Sequence, residues 1–73
     1  SAKTIDYAIV QEAMGGICLT TGNVQQATSH FKKALGIYEL IFDEEPDVIE
    51  SKKQEIAQTY IQAGIYLGTQ LLK

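Results

Sequence analysis

Met14-Gly15-Gly16-Ile17-Cys18-Leu19-Thr20-Thr21-Gly22-Asn23-Val24 decides the fold, because a variant of it returns later in the same chain. Forty-two residues further on, Met14 is answered by Ile56, Gly15 by Ala57, Cys18 by Tyr60, Gly22 by Gly64 and Val24 by Tyr66. Small residues fall on small, and bulky on bulky at most of these positions. Self-similarity at a period of roughly 20 to 50 residues marks stacked structural repeats, each too small to bury its apolar side alone. The pattern therefore points to a repeat module that binds other proteins rather than to a self-contained enzyme.

Outward from this stretch the periodicity is helical. Thr21-Gly22-Asn23 separates two helices: Gly22 suits the left-handed residue that closes the first, and Asn23 suits the N-cap of the second. Gln26, three residues on, completes a capping-box pattern. So tight a turn makes the helices antiparallel neighbours. The first is expected over residues 4–20, with Ile5, Ala8, Ile9, Gly15, Ile17 and Cys18 along its apolar side. In the second, Val24, Ala27, Phe31, Ala34, Leu35, Tyr38, Ile41 and Phe42 recur at steps of three and four, on one face of a helix. Asp43-Glu44-Glu45-Pro46-Asp47-Val48 opens a third, expected over 46–63, since proline is tolerated in a first turn and acidic residues there complement the helix dipole. Val48, Ile49, Ile56, Ala57, Tyr60 and Ile61 are its apolar positions, and Gly64 ends it as Gly22 ended the first. Residues 65–73 begin a fourth helix of about two turns. The expected class is all-α.

Composition narrows function by exclusion. With 73 residues, a formal charge of −3 and a single cysteine, the chain is one small domain or a piece of a larger one, without an internal disulfide. Cys18 and the lone His30 cannot build a four-ligand zinc site, so no metal or other cofactor is expected. A solitary thiol fits a reducing compartment, hence a cytoplasmic setting. The only basic pairs are Lys32-Lys33 and Lys52-Lys53, too few clustered cations for nucleic acid. Residues 13–31 and 56–72 lack Asp, Glu, Lys and Arg, yet each holds several Thr, Gln or Asn side chains. That density is too costly in hydrocarbon for membrane insertion. The N-terminus has no basic-then-apolar signal layout.

Three local features invite sharper readings and decline them. Gly15-Gly16 follows no strand and is followed by no Gly-Lys-Ser/Thr, so it reads as close helix packing, not a phosphate loop. The acidic run from Asp43 to Glu50 contains Pro46 and Val48 and no glycine, unlike a calcium loop. Cys18 falls on a packing position, and His30 is expected on the outer side of the second helix, so they make no nucleophile–base pair. The chain is not expected to be an enzyme.

Met14-Gly15, Cys18, Gly22, Val24, Ala27, Phe31 and Ala34 together resemble the tetratricopeptide repeat: bulky then small, an aromatic three later, glycine at the turn, then alanine, aromatic and alanine. Gln11 stands where Trp or Leu is common, Cys18 replaces the aromatic, and Thr69 occupies an alanine position. The period exceeds the usual length of about 34 residues, and with the Glu45-Pro46-Asp47-Val48 opening it resembles the kinesin light chain-like subtype. The resemblance implies antiparallel helix hairpins of an α-solenoid, three helices plus a truncated fourth, within a single segment 1–73. Unit one covers about 4–45, and an incomplete unit two about 46–73 of a longer repeat protein. It further implies a non-catalytic scaffold binding a partner's peptide or helix on a concave face lined by Glu12, Gly16 and Leu19 from unit one and Gln54, Gln58 and Ile61 from unit two. Glu12 and Gly16 supply neither the Lys nor the Asn of a carboxylate clamp. The setting implied is cytoplasmic, with cytoskeleton- or cilium-associated relatives. Two other readings stay open: a structural oligomerisation module, self-associating through Ile65, Tyr66, Leu67, Leu71 and Leu72, and a generic helical accessory domain.

Overall fold

The computed structural model describes residues 4–72, with side chains described through residue 70. Three α-helices, α1 (Ile5–Thr20), α2 (Val24–Ile41) and α3 (Pro46–Gln62), precede a 3₁₀ helix, Tyr66–Leu72. No strand occurs among the described residues. The Cα envelope measures 32 × 24 × 14 Å, a flattened slab in which α1 and α3 both lie against α2.

The two interhelical turns are built alike. Gly22 (φ 81°) and Gly64 (φ 77°) are the only positive-φ residues described. Behind each runs the same pair of hydrogen bonds: Gly22 N–H to Leu19 O and Asn23 N–H to Cys18 O at 3.1 and 2.8 Å, then Gly64 N–H to Ile61 O and Ile65 N–H to Tyr60 O, both at 2.9 Å. This is a Schellman closure, which satisfies carbonyls the helix end leaves free and needs a left-handed residue at its hinge. It recurs at the 42-residue spacing read from the sequence.

Start signals vary in strength. Thr4 caps α1, its hydroxyl accepting from Tyr7 N–H at 3.3 Å. Asn23 caps α2, Oδ1 accepting from Gln26 N–H at 3.4 Å. The capping box expected there is only half formed. Asn23 N–H is already committed to Cys18 O, so Gln26 has no donor to reach back to, and its Oε1 instead lies 4.0 Å from the Cys18 thiol. At α3 no side chain caps the first turn; Pro46 and Asp47 supply the start.

The core consists of Ala8, Leu19, Ala27, Phe31, Ala34, Leu35, Ile37, Tyr38, Ile56 and Tyr60. Burying a side chain such as Phe31 or Ile56 contributes about 1.5–3 kcal/mol each. Here α1 departs from expectation. Its buried side is Ala8, Gln11, Gly15 and Leu19, whereas Ile5, Ile9 and Ile17 point to solvent. Close approach of α1 to α2 selects small residues at the contact: a Cβ added to Gly15 would stand 2.6 Å from the Phe31 ring. Of the residues expected along the apolar side of this helix, Ala8 and Gly15 are buried and Cys18 packs against the core, whereas the three isoleucines do not face inward. In α2 the expected face holds, except that Ile37 and Thr28 are buried and Ile41 is exposed.

The fourth element also differs. Residues expected to begin an α-helix wind as 3₁₀, rising about 2.0 Å per residue instead of 1.5 Å. Gly68 lies directly on the Tyr60 ring, which fills the space a Cβ would need. Forty-two residues earlier the sizes are reversed: small Cys18 faces the longer Gln26. Lys73 and the side chains of Leu71 and Leu72, which enter the expected self-association surface, lie outside the described residues.

Candidate interaction surface

Besides the Cys18–Gln26 contact, polar side chains join the helices in three places, and these set which surfaces remain free. Between α1 and α2, Gln11 Oε1 meets His30 Nδ1 at 2.7 Å. Gln11 is buried, so the position where the repeat pattern favours a large apolar residue holds an amide whose hydrogen bond is met by His30. His30 thus faces α1 and is half-buried, not on the outer side of α2 as expected. A clue existed in the sequence: Gln11 falls three after Ala8 and four before Gly15, on the small-residue face.

Between α2 and α3, Thr28 Oγ1 and the Tyr60 hydroxyl lie 2.6 Å apart in the interior. The Phe31 and Tyr60 rings pack beside them in a tilted arrangement, with centroids 5.4 Å apart. Burial pushes the Tyr60 hydroxyl above its ordinary pKa, and the hydrogen bond with Thr28 partly offsets that rise.

The third cluster ties all three helices together. The Tyr38 hydroxyl donates to Glu12 Oε1. Lys52 of α3 places Nζ 4.0 Å from the same carboxylate oxygen, 3.3 Å from Glu55 Oε2, and 5.1 Å from the Tyr38 ring centroid. Desolvation raises the Tyr38 pKa first, and the negative carboxylates of Glu12 and Glu55 push it further up. Tyr38 and Tyr60 were read from sequence only as apolar positions and Lys52 only as half of a basic pair, and Thr28 was not singled out. Their pairing depends on which helices meet.

Against this frame of contacts the six expected lining residues separate. Leu19 is 4% exposed and belongs to the core between α1 and α2, so it offers no surface to a ligand. Glu12 is half-buried and occupied by Tyr38 and Lys52. Ile61 is half-buried near the turn. Gln54 and Gln58 are exposed, and with Ser51, Glu55 and Ala57 they line an open, shallow depression along α3. Gly16 is half-buried, with no atom within 4 Å of where its Cβ would be. The structure thus gathers two amides, a hydroxyl and one carboxylate on the open side of α3. Such groups can donate to and accept from a peptide backbone and can meet a basic side chain.

Other chemistry is sparse. Among the described residues no group of three or more His, Cys, Asp or Glu is placed to hold a metal ion. Cys18 has Gln26 for its polar neighbour and His30 has Gln11. Among the described residues, no helix is long and apolar enough to cross a membrane. Comparison with protein-family models, with curated proteins and with solved structures yields no match.

Proposed function

We propose that this chain is a non-catalytic, tetratricopeptide-type interaction segment, in which the open side of α3 binds an extended peptide or a helix of a partner protein. The observation that carries the reading is the recurrence, 42 residues apart, of one turn: a left-handed glycine with the same two backbone hydrogen bonds. A chain that closes successive hairpins identically is suited to stacking them, and stacked hairpins offer a continuous surface built from the first helix of each pair. In this reading Gln54 and Gln58 contact the ligand. Glu12 acts indirectly, holding Tyr38 and Lys52 so that α3 keeps its place beside α1. The kinesin light chain-like subtype and a cytoplasmic setting belong to the same proposal.

A second reading, a self-assembly module, is favoured by Tyr66 and Leu67, which are 70% and 81% exposed on the terminal 3₁₀ helix. Sedimentation across a hundredfold range of concentration separates the two. A mass that does not rise with concentration removes self-assembly through that end.

Selection from a random-peptide phage library on the immobilised chain tests the first reading. Peptides so obtained should bind the Gln54→Ala/Gln58→Ala double variant at least about tenfold more weakly, the equivalent of about 1.4 kcal/mol. Its circular dichroism and unfolding midpoint should be unchanged. Selected peptides that bind the variant as well as the parent chain refute the proposed surface.

A further inference from the structure

α2 turns one face away from both neighbouring helices. Ser29, Lys32, Lys33, Gly36, Glu39 and Leu40 lie along it and are exposed, Leu40 at 63%. Among the described residues the ion pairs are those of Lys52 with Glu12 and Glu55, so Lys32, Lys33 and Glu39 are left without one. Gly36 is equally unexplained from within the chain. Its φ is not positive, and nothing lies within 4 Å of where its Cβ would be. Gly16 is alike in both respects, but it is half-buried and adjoins Gly15. A glycine inside a helix is destabilising relative to alanine, so Gly36 carries a cost that no contact within the chain offsets.

Charge and shape are arranged about Gly36. Lys32 precedes it by four residues and Glu39 follows it by three, so they sit about 6 Å and about 4.5 Å to either side along the axis. Being seven residues apart, they share one flank of the helix, with an offset of only about 20°. Lys33 and Leu40, also seven apart, share the other flank. If a second copy lies antiparallel with the two-fold axis at Gly36, Lys32 of each chain comes within about 1.5 Å of the level of Glu39 in the other. Leu40 then comes level with a hole framed by Ser29, Lys32, Lys33 and Gly36, the i, i+3, i+4, i+7 frame that receives a side chain in coiled-coil packing. Two of its corners are small, and Ser29, Lys32 and Lys33 already border an open depression.

We propose that this face of α2 is an isologous interface at which two copies of the chain pair antiparallel. The occupant is a second copy because a two-fold interface requires each surface to complement itself. Lys32 and Glu39 meet that requirement, whereas a partner carrying one sign of charge would find both signs beside Gly36. Leu40 supplies apolar burial, the stem of the opposing Lys33 covers it, and Gly36 lets the two backbones approach. The interface lies on neither the open side of α3 nor the terminal 3₁₀ helix, and it does not depend on the 42-residue correspondence.

Sedimentation equilibrium of the whole chain, across a hundredfold range of concentration, tests the assignment. The average mass should rise toward twice that of one chain. Lys32→Glu and Glu39→Lys should each weaken association at least about tenfold, with circular dichroism unchanged, because each sets like charges opposite one another. Mixed in equal amounts, the two variants should regain the parent's rise, since each then offers the charge the other lacks. Leu40→Glu and Gly36→Gln should also weaken association, while Gly36→Gln raises the unfolding midpoint of the dilute chain. Recovery on mixing is the deciding result, because neither a role in folding nor an unrelated partner produces it. A parent mass that never rises, single variants that associate as the parent does, or a mixture that stays monomeric overturns the assignment. A rise removed by Tyr66→Ser/Leu67→Ser but not by Lys32→Glu puts self-association at the terminal helix and overturns it as well. Gln54→Ala/Gln58→Ala should leave the mass unchanged, so failure here is distinct from failure of the peptide-binding surface.

Discussion

Adjacent glycines on α1 should respond differently to the same substitution. Alanine is favoured over glycine inside a helix by about 1 kcal/mol, since glycine loses more backbone entropy on folding. That gain applies equally to Gly15 and Gly16, both well inside Ile5–Thr20. Their surroundings differ. At Gly16 an added Cβ meets nothing within 4 Å, whereas at Gly15 it would lie 2.6 to 2.8 Å from three carbons of the Phe31 ring. Phe31 is 2% exposed and packed against Tyr60, so the ring has little freedom to retreat. Forcing a methyl into such a place costs about 1–3 kcal/mol. Gly16→Ala is therefore expected to stabilise by about 0.5–1 kcal/mol, and Gly15→Ala to be neutral or to destabilise by up to about 2 kcal/mol. Because helix propensity cancels between them, the difference isolates the steric cost. Urea unfolding monitored by circular dichroism at 222 nm measures it (wavelength roughly that of the helical amide band). Repeating Gly15→Ala in a Phe31→Leu background should shrink the difference to below about 0.5 kcal/mol. If Gly15→Ala stabilises as much as Gly16→Ala, α1 and α2 do not approach as described, and the small-residue account of their contact fails.

Three further outcomes follow from the same contacts. Gly22→Ala and Gly64→Ala each force a side chain into a left-handed backbone and should lower stability by about 1–2 kcal/mol; a loss at only one of them, in the same urea assay, would break the equivalence of the two turns. Tyr60→Phe leaves the buried Thr28 hydroxyl without its partner and should cost about 1–3 kcal/mol, with Thr28→Val added to it recovering most of the loss in a double-mutant cycle. Alkaline stability provides the third. Tyr38 and Tyr60 both have raised pKa values in the folded chain, so above the ordinary tyrosine value of about 10 the folded state holds more protons than the unfolded. Their contribution is fully present below that pH and declines as pH rises past it. The unfolding midpoint should fall more steeply between about pH 10 and 11.5 in the parent than in Tyr38→Phe, and equal slopes would contradict the burial assigned to this hydroxyl.

Much of the architecture was legible from residue order because it depends on local rules. Gly22 and Gly64 end helices because few other residues take positive φ cheaply, and Asn23 and Pro46 begin them for reasons internal to one turn. The 42-residue correspondence needs no coordinates either. Which side of α1 turns inward was a different matter. Its large residues Ile5, Ile9, Val10, Met14 and Ile17 stay exposed while Ala8, Gln11, Gly15 and Leu19 turn inward, because two helices with a short connection lower their energy by close approach and Gly15 permits it. Partnerships between distant polar groups were equally illegible: Gln11 with His30, Thr28 with Tyr60, and Glu12 with Tyr38 and Lys52 exist only once three helix faces have been brought into register. Those pairings occupied Glu12, core packing buried Leu19, and Gln54 and Gln58 were left on the open surface. Sequence alone thus determined where this chain turns and that it winds into helices, since each such choice is made within a few residues. Tertiary structure alone decided which faces meet and which stay exposed, since that choice depends on the fit of side chains far apart along the chain.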